Sequence, residues 1–399
     1  MPRVPTPGRL ISPYPLERFL ARVWGESPLY VRGRAGRYAG LCGWCDLNEL
    51  LATHRLEPPR LRFAQQREGA AALDSFLKFR VSTDGRRTPR LDVRALNRLL
   101  ARGATLVLNA VQEMHPPLAT LTREFARLFL VEPNVNLYAS FGREPGFGPH
   151  WDDHDVFVLQ IAGQKRWLLY GANRRYPLYR DARPNEMQPV RPLARYRLRA
   201  GDLLYIPRGH WHDAVAVGEP TLHLTVGIPT LTGVDFLNWL TDDARGTESV
   251  RRNIPLFDAR RRARWFQQLD RAVSQRMDAG TLTHYLEERR ARMEPSTRPA
   301  LPHAVHPGLE PASRDLLQWT GIAHAKPSTR RAGLVVRTTD REFVFDPAAA
   351  ALIERLLTGE AIGYGTLRRA FVRKLGAQRL RRFVGELLRE HFITIVPRR

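Results

Sequence analysis

"GPHWDDHDVFVLQIAGQKRW", residues 148–167, sets two histidines and three aspartates into six consecutive positions, then runs into an apolar strand and a glycine turn. Acids and imidazoles crowded at the mouth of a β-sheet are costly to bury unless they bond to something. If the stretch is a strand beginning near His150, side chains alternate between faces, so His150, Asp152 and His154 share one side. At strand rise His154 lies ~13 Å from His150, beyond the reach of an ion with bonds of ~2 Å. The spacing therefore predicts that His150 and Asp152 share one ion and that His154 does not.

A third ligand has to arrive from another strand. "GDLLYIPRGHWHDAVAV", residues 201–217, ends a strand at Pro207, turns at Gly209 and offers His210 and His212. Two imidazoles and one carboxylate on one face leave three coordination positions open, a pattern diagnostic of non-haem Fe(II) oxygenases. Lys165 adds to this pattern, because it follows the Gly163 turn in a chain whose only lysines are Lys78, Lys165, Lys326 and Lys374. A compact ammonium there suits the distal carboxylate of a 2-oxoglutarate cosubstrate.

Around this segment the chain reads as short strands punctuated by Gly and Pro: "NVNLYAS", "VFVLQIAG", "RWLLYG", "RYRLRAGDLLYIP" and "TLHLTVGI". Few helical stretches are available as crossovers, so the expected fold is mainly β with α, a jelly roll rather than a parallel sheet. Before it, "DLNELLA" and "DVRALNRLLARG" read as helices with Asp at their starts, and "ATLVLNAV" as a buried strand.

The texture changes after residue 234. Over 235–293 Phe266, Leu269, Val273 and Met277 recur at helical spacing, a stripe that needs the barrel or a second subunit to cover it. The stretch 294–308, "EPSTRPALPHAVHPG", reads as a Pro-rich linker. Residues 309–399 read as a winged-helix-like α/β module, with Asp346 and Pro347 starting a helix and Arg379, Arg381 and Arg382 on a later one. The expected domains are thus 1–234, 235–293, the linker, and 309–399.

With 399 residues, 43% hydrophobic and 26% charged, the chain is expected to be a multidomain cytoplasmic protein. No apolar run approaches the ~20 residues of a membrane span. A net charge of +23 points to an acidic or RNA-proximal partner, although nearly all of it is Arg and so also fits compositional bias. Cys42 and Cys45 form a lone C-x-x-C, without the second pair a structural zinc site requires, and read as reduced thiols.

The two quoted segments resemble the JmjC-type 2-oxoglutarate oxygenases of the cupin superfamily, specifically the ribosomal oxygenase branch. The resemblance implies a double-stranded β-helix in which His150, Asp152 and His212 bind Fe(II), His212 being the histidine of "PRG-x-x-H". It also implies Lys165 as the 2-oxoglutarate carboxylate partner, Tyr138 as a hydroxyl beside that carboxylate, and Asn136 as a pocket residue. His210 is a departure beside the expected ligand. The implied activity is O2-dependent hydroxylation of an Arg or His side chain of a ribosomal protein, by a homodimer with a helical dimerisation region and a C-terminal winged helix. Two other readings stand beside it: the same chemistry on another peptide or a small molecule, and a non-catalytic nucleic-acid-binding regulator using the basic winged helix.

Overall fold

The computed structural model describes residues 4–64, 76–143, 146–178, 189–293, 297–306, 308–321, 328–330, 333–337 and 342–396. The chain divides into two compact units, Met1–Thr230 and Leu231–Arg399.

Among the described residues the first unit holds twelve strands: β1 Leu29–Val31, β2 Leu61–Ala64, β3 Leu77–Val81, β4 Arg87–Leu91, β5 Thr105–Leu108, β6 Asn134–Ser140, β7 Asp155–Ala162, β8 Gln164–Gly171, β9 Ala194–Arg199, β10 Leu203–Ile206, β11 Trp211–Ala216 and β12 Thr221–Ile228. Seven form one sheet in the order β1-β10-β7-β12-β6-β5-β2, three form another in the order β11-β8-β9, and β3-β4 is a separate hairpin. All pairings in the two larger sheets are antiparallel. The sheets face each other. Val156, Val158, Leu204 and Ile206 from the large sheet pack with Trp167, Leu169 and Leu198 from the small one in a single core cluster.

Helices cover the other face of the large sheet. α1 is Pro7–Leu10, α2 Leu16–Arg22, α3 Trp44–Thr53, α4 Val93–Ala101 and α5 Pro116–Phe129. Phe19 of α2 and Phe125 of α5 both pack against Phe157 of β7, with ring centroids 5.7 and 5.1 Å apart. Each such ring, fully buried, contributes ~1.5–3 kcal/mol. Asp92 caps α4 by accepting from the Arg94 and Ala95 amides. In α3, Gly43 is the cap, and Asp46 sits three positions in, reaching back to the Gly43 amide at 2.7 Å. The segment "RYRLRAGDLLYIP" forms two strands in different sheets, β9 and β10, because Gly201 turns at φ +96°.

The second unit begins with helices α6 Gly233–Asp243, α7 Glu248–Arg251, α8 Ala259–Ser274 and α9 Ala279–Ala291. Phe266 and Met277 of the apolar stripe remain exposed, at 62% and 53%. Part of the Pro-rich stretch, residues 294–296 and 307, lies outside the described residues. The rest is less free than a linker: Ala300 is buried in the C-terminal core and Ala304 packs against it. That core also holds α10 Pro347–Leu357, α11 Tyr364–Leu375 and α12 Ala377–Arg389, with Leu352, Ile353, Leu367 and Val384 buried. Asp346 caps α10 through the Ala348 amide. Among the described residues no helix is long and apolar enough to cross a membrane.

Candidate metal centre

The opening segment is not a strand from His150 onward. β7 starts at Asp155, and His150 instead makes one isolated bridge to His212 of β11. The pairing is reciprocal, with the His150 amide donating to the His212 carbonyl at 3.0 Å and the His212 amide returning to His150 at 2.7 Å. The ladder stops there because the Gly209 amide takes the Asp152 carbonyl at 2.8 Å, pulling the chain out of register. Gly209 makes that turn at φ +78°, with the Arg174 carbonyl and the Pro177 ring where a side chain would go.

The consequence is a three-residue cluster. One ligating atom each from His150, Asp152 and His212 lies within 4.8 Å of the others. The His212 Nε2 to Asp152 Oδ2 distance is 3.5 Å, and the two imidazole centroids are 4.4 Å apart. Both rings are held from behind. His150 Nδ1 is 2.9 Å from the Gly148 carbonyl, and His212 Nδ1 is 2.9 Å from the His210 carbonyl. A carbonyl only accepts, so each Nδ1 carries the proton and each Nε2 presents its lone pair, the usual orientation of metal-binding histidine. Two borderline nitrogens and one hard oxygen suit a divalent first-row metal such as Fe(II).

The neighbouring histidines are excluded by geometry. His210 lends its carbonyl, while its ring is not part of the cluster. His154 pairs with Asp153 at 3.0 Å and lies over Gly227 of β12.

Behind the cluster the barrel interior is lined by β5, β6, β8 and β12. Lys165 points inward and is only 5% exposed, with the Ser140 hydroxyl 3.4 Å from its Nζ. Burial pulls its ammonium down from 10.5 to about 8, and the Asp213 charge opposes the shift. Its inward aim depends on Gly163, at φ +63°, where a Cβ would lie 2.2 Å from the Pro220 carbonyl. Tyr138 stacks flat on His223, with centroids 4.8 Å apart and planes at 6°. Burial raises the Tyr138 phenol above its ordinary value and the Asp152 charge adds to this, while bonds from Thr225 and Asn136 oppose it. The Asn136 Oδ1 accepts from the Ala110 amide at 3.1 Å, which fixes the side chain. His223 Nδ1 and Trp167 Nε1 are buried without a hydrogen-bond partner. The Phe147 ring, 46% exposed, stands 6.1 Å from His150.

Sequence reasoning names Asn136, Tyr138 and Lys165 here but misses Ser140, Thr225 and His223. The signal is present. Period-two alternation puts Ser140 on the Tyr138 face, and "TLHLTVGI" carries Thr221, His223 and Thr225 on one face of an otherwise apolar strand.

A second grouping, Cys42, Asp46 and His115, also lies within 4.8 Å. Its polar atoms are already in use: Asp46 caps α3, and His115 Nε2 donates to the Leu41 carbonyl at 2.8 Å. Burial pushes the Cys42 thiol up to about 12, so it stays protonated. Cys45 is exposed and outside the group.

A family model described as the JmjC domain matches residues 110–236, a stretch that contains His150, Asp152, His212, Lys165 and Tyr138. Residues 110–236 thus carry a JmjC domain. The JmjC region is similar to ribosomal oxygenase 1 of Gallus gallus, 30% identical over 54% of this chain and 35% of that one. It is also similar to the bifunctional lysine-specific demethylase and histidyl-hydroxylase NO66 of Aedes aegypti, 28% identical over 62% and 39%. The chain thus spans less than half the length of these curated relatives. Among solved structures, the Escherichia coli ribosomal oxygenase YcfD aligns over 96% of this chain and 98% of its own, with a TM-score of 0.57 at 17% identity. YcfD has also been solved in complex with cobalt and 2-oxoglutarate. At that identity the likeness shows the cupin-type JmjC fold.

Proposed function

We propose that this JmjC protein is an Fe(II)- and 2-oxoglutarate-dependent oxygenase that hydroxylates an Arg or His side chain of a ribosomal protein. The observation that carries the reading is the pairing of an open His-Asp-His cluster with a buried ammonium that makes no ion pair among the described residues, on the same barrel interior. A desolvated Lys165 is unfavourable without a counter-ion, and a carboxylate beside it relieves that cost. The residues therefore fit the group.

His150, Asp152 and His212 would hold the metal, and Lys165 with Ser140 would take the distal carboxylate. Tyr138 would offer its hydroxyl to that carboxylate, held by Asn136 and Thr225 and by the His223 ring stacked on it. Val158, Trp167 and Leu169 belong to the buried apolar core between the two sheets. The chemistry that iron and 2-oxoglutarate bring when bound is oxidative: a substrate C–H becomes C–OH while O2 is consumed and the oxo acid ends as succinate and CO2. The ribosomal substrate is supported by the names of the relatives and of the E. coli structure. The exposed Phe266 and Met277 of the helical region support a homodimer formed through 235–293, followed by a winged-helix-like region at 309–399. The net charge of +23 supports a cytoplasmic substrate lying next to RNA.

The deciding experiment compares intact masses of ribosomal proteins from cells with and without this gene. A gain of one oxygen atom on one protein, absent in the deletion and in a His150→Ala, Asp152→Ala strain, supports the proposal. Iron-dependent succinate release with no ribosomal mass change moves the activity to another peptide or a small molecule. No succinate release at all leaves a non-catalytic regulator.

A further inference from the structure

The outer face of the small sheet carries a cationic ladder that the iron site does not use. Along β9, Arg195, Arg197 and Arg199 are exposed and alternate with Tyr196 and Leu198. On β8, Arg166 is exposed and sits directly opposite Arg197, and Gln164 sits opposite Arg199. The alternation that sends Lys165 inward sends Arg166 outward. None of these four guanidiniums has a carboxylate partner among the described residues. Like charges directly opposite on neighbouring strands repel. Three acids share the neighbourhood: Asp213, buried on β11 and within the field of Arg166; Asp202, buried and accepting from the Arg199 amide at 2.9 Å; and Glu219. Arg197, Arg199 and Glu219 line an open hollow of about 360 Å³ together with Gly163, Gln164 and Ala200.

We infer that this face is an RNA-binding surface that grips the phosphate backbone. Four exposed cations on this face, with Glu219 at the hollow and Asp202 and Asp213 buried behind it, leave an outward positive field that a polyanion converts from repulsion to attraction. The hollow offers no large apolar side chain, which argues against a protein partner, whose interface core needs apolar area. The face lies on the same hairpin as Lys165, so RNA held there rides on the unit that carries the metal cluster. The inference rests on the proposed function only for placing the substrate beside RNA.

The test uses the full chain and a labelled single-stranded RNA oligonucleotide, with binding followed by anisotropy across a salt series. One variant combines Arg166→Ser, Arg195→Ser, Arg197→Ser and Arg199→Ser. A charge-matched control combines Arg251→Ser, Arg260→Ser, Arg264→Ser and Arg271→Ser, all exposed positions elsewhere. Each phosphate that the protein no longer neutralises lowers the log–log salt slope by ~0.7, so the sheet variant should lose up to about 3 and bind at least ~10-fold more weakly at low salt. The control should keep the parental slope. Equal losses in both variants, or an unchanged slope in the sheet variant, overturn the inference and leave bulk charge as the cause. Displacement of the RNA by poly-glutamate at equal charge also overturns it, because the partner is then an acidic polypeptide. Succinate release by the sheet variant should match the parent. If neither protein turns over 2-oxoglutarate, the oxygenase reading fails while the RNA result stands by itself.

Discussion

Replacing Lys165 with methionine should make the empty protein more stable while removing its capacity for 2-oxoglutarate. The ammonium is buried, with its pKa pulled from 10.5 to about 8. At about 1.4 kcal/mol per pH unit, that displacement is a folding penalty of about 3 kcal/mol. The sign follows from proton counting. Below pH 8 both folded and unfolded chains carry the proton, so the penalty is complete at pH 7. Between pH 8 and 10.5 the unfolded chain holds a proton that the folded one has released, so the parent regains stability as pH rises. Met fills a similar volume without charge. Urea unfolding of metal-free protein should therefore show Lys165→Met ahead by roughly 2–3 kcal/mol at pH 7, with the gap closing as pH approaches 10.5. The same variant should bind 2-oxoglutarate ~100-fold or more weakly, since the carboxylate then enters a buried site without its counter-ion. A parent that is the more stable at pH 7, or a gap that does not change with pH, would refute the claim that this lysine is held at a loss until an anion arrives.

Other outcomes are checked more simply. His212→Ala should lose bound metal by elemental analysis while His210→Ala keeps it, because only the carbonyl of 210 touches the cluster. Tyr138→Phe should weaken 2-oxoglutarate binding by ~3–10-fold by calorimetry, the worth of one hydroxyl's hydrogen bonds, with the stack on His223 intact. Gly163→Ala should lower the stability by more than ~1 kcal/mol in urea, since the new Cβ meets the Pro220 carbonyl at φ +63°.

The strands are legible because β6 and β12 are bounded by turn residues, and their observed limits match "NVNLYAS" and "TLHLTVGI". Period-two alternation also carries the inward aim of Lys165. The same rule misplaces the start of β7, since it cannot register that the Gly209 amide and the His212 backbone compete for this stretch. Convergence of 150 and 152 with 212 survives that error because it depends on a bridge and a turn, neither of which leaves a period in the sequence. His223 escapes notice for a related reason. A histidine inside an apolar strand reads as core until the ring opposite it is known, and here that ring is Tyr138, its partner in the β6–β12 register.

The reciprocal bridge between His150 and His212 sets how the proposed iron site would meet a shortage of metal. Two of the three donors are fastened through the main chain, so withdrawing the ion leaves the loop anchored and the imidazoles still aimed. The emptied protein is then a folded vessel awaiting refill, and the same rigidity lets any divalent ion of similar size lodge there, so metal supply rather than refolding governs how much of the population is competent.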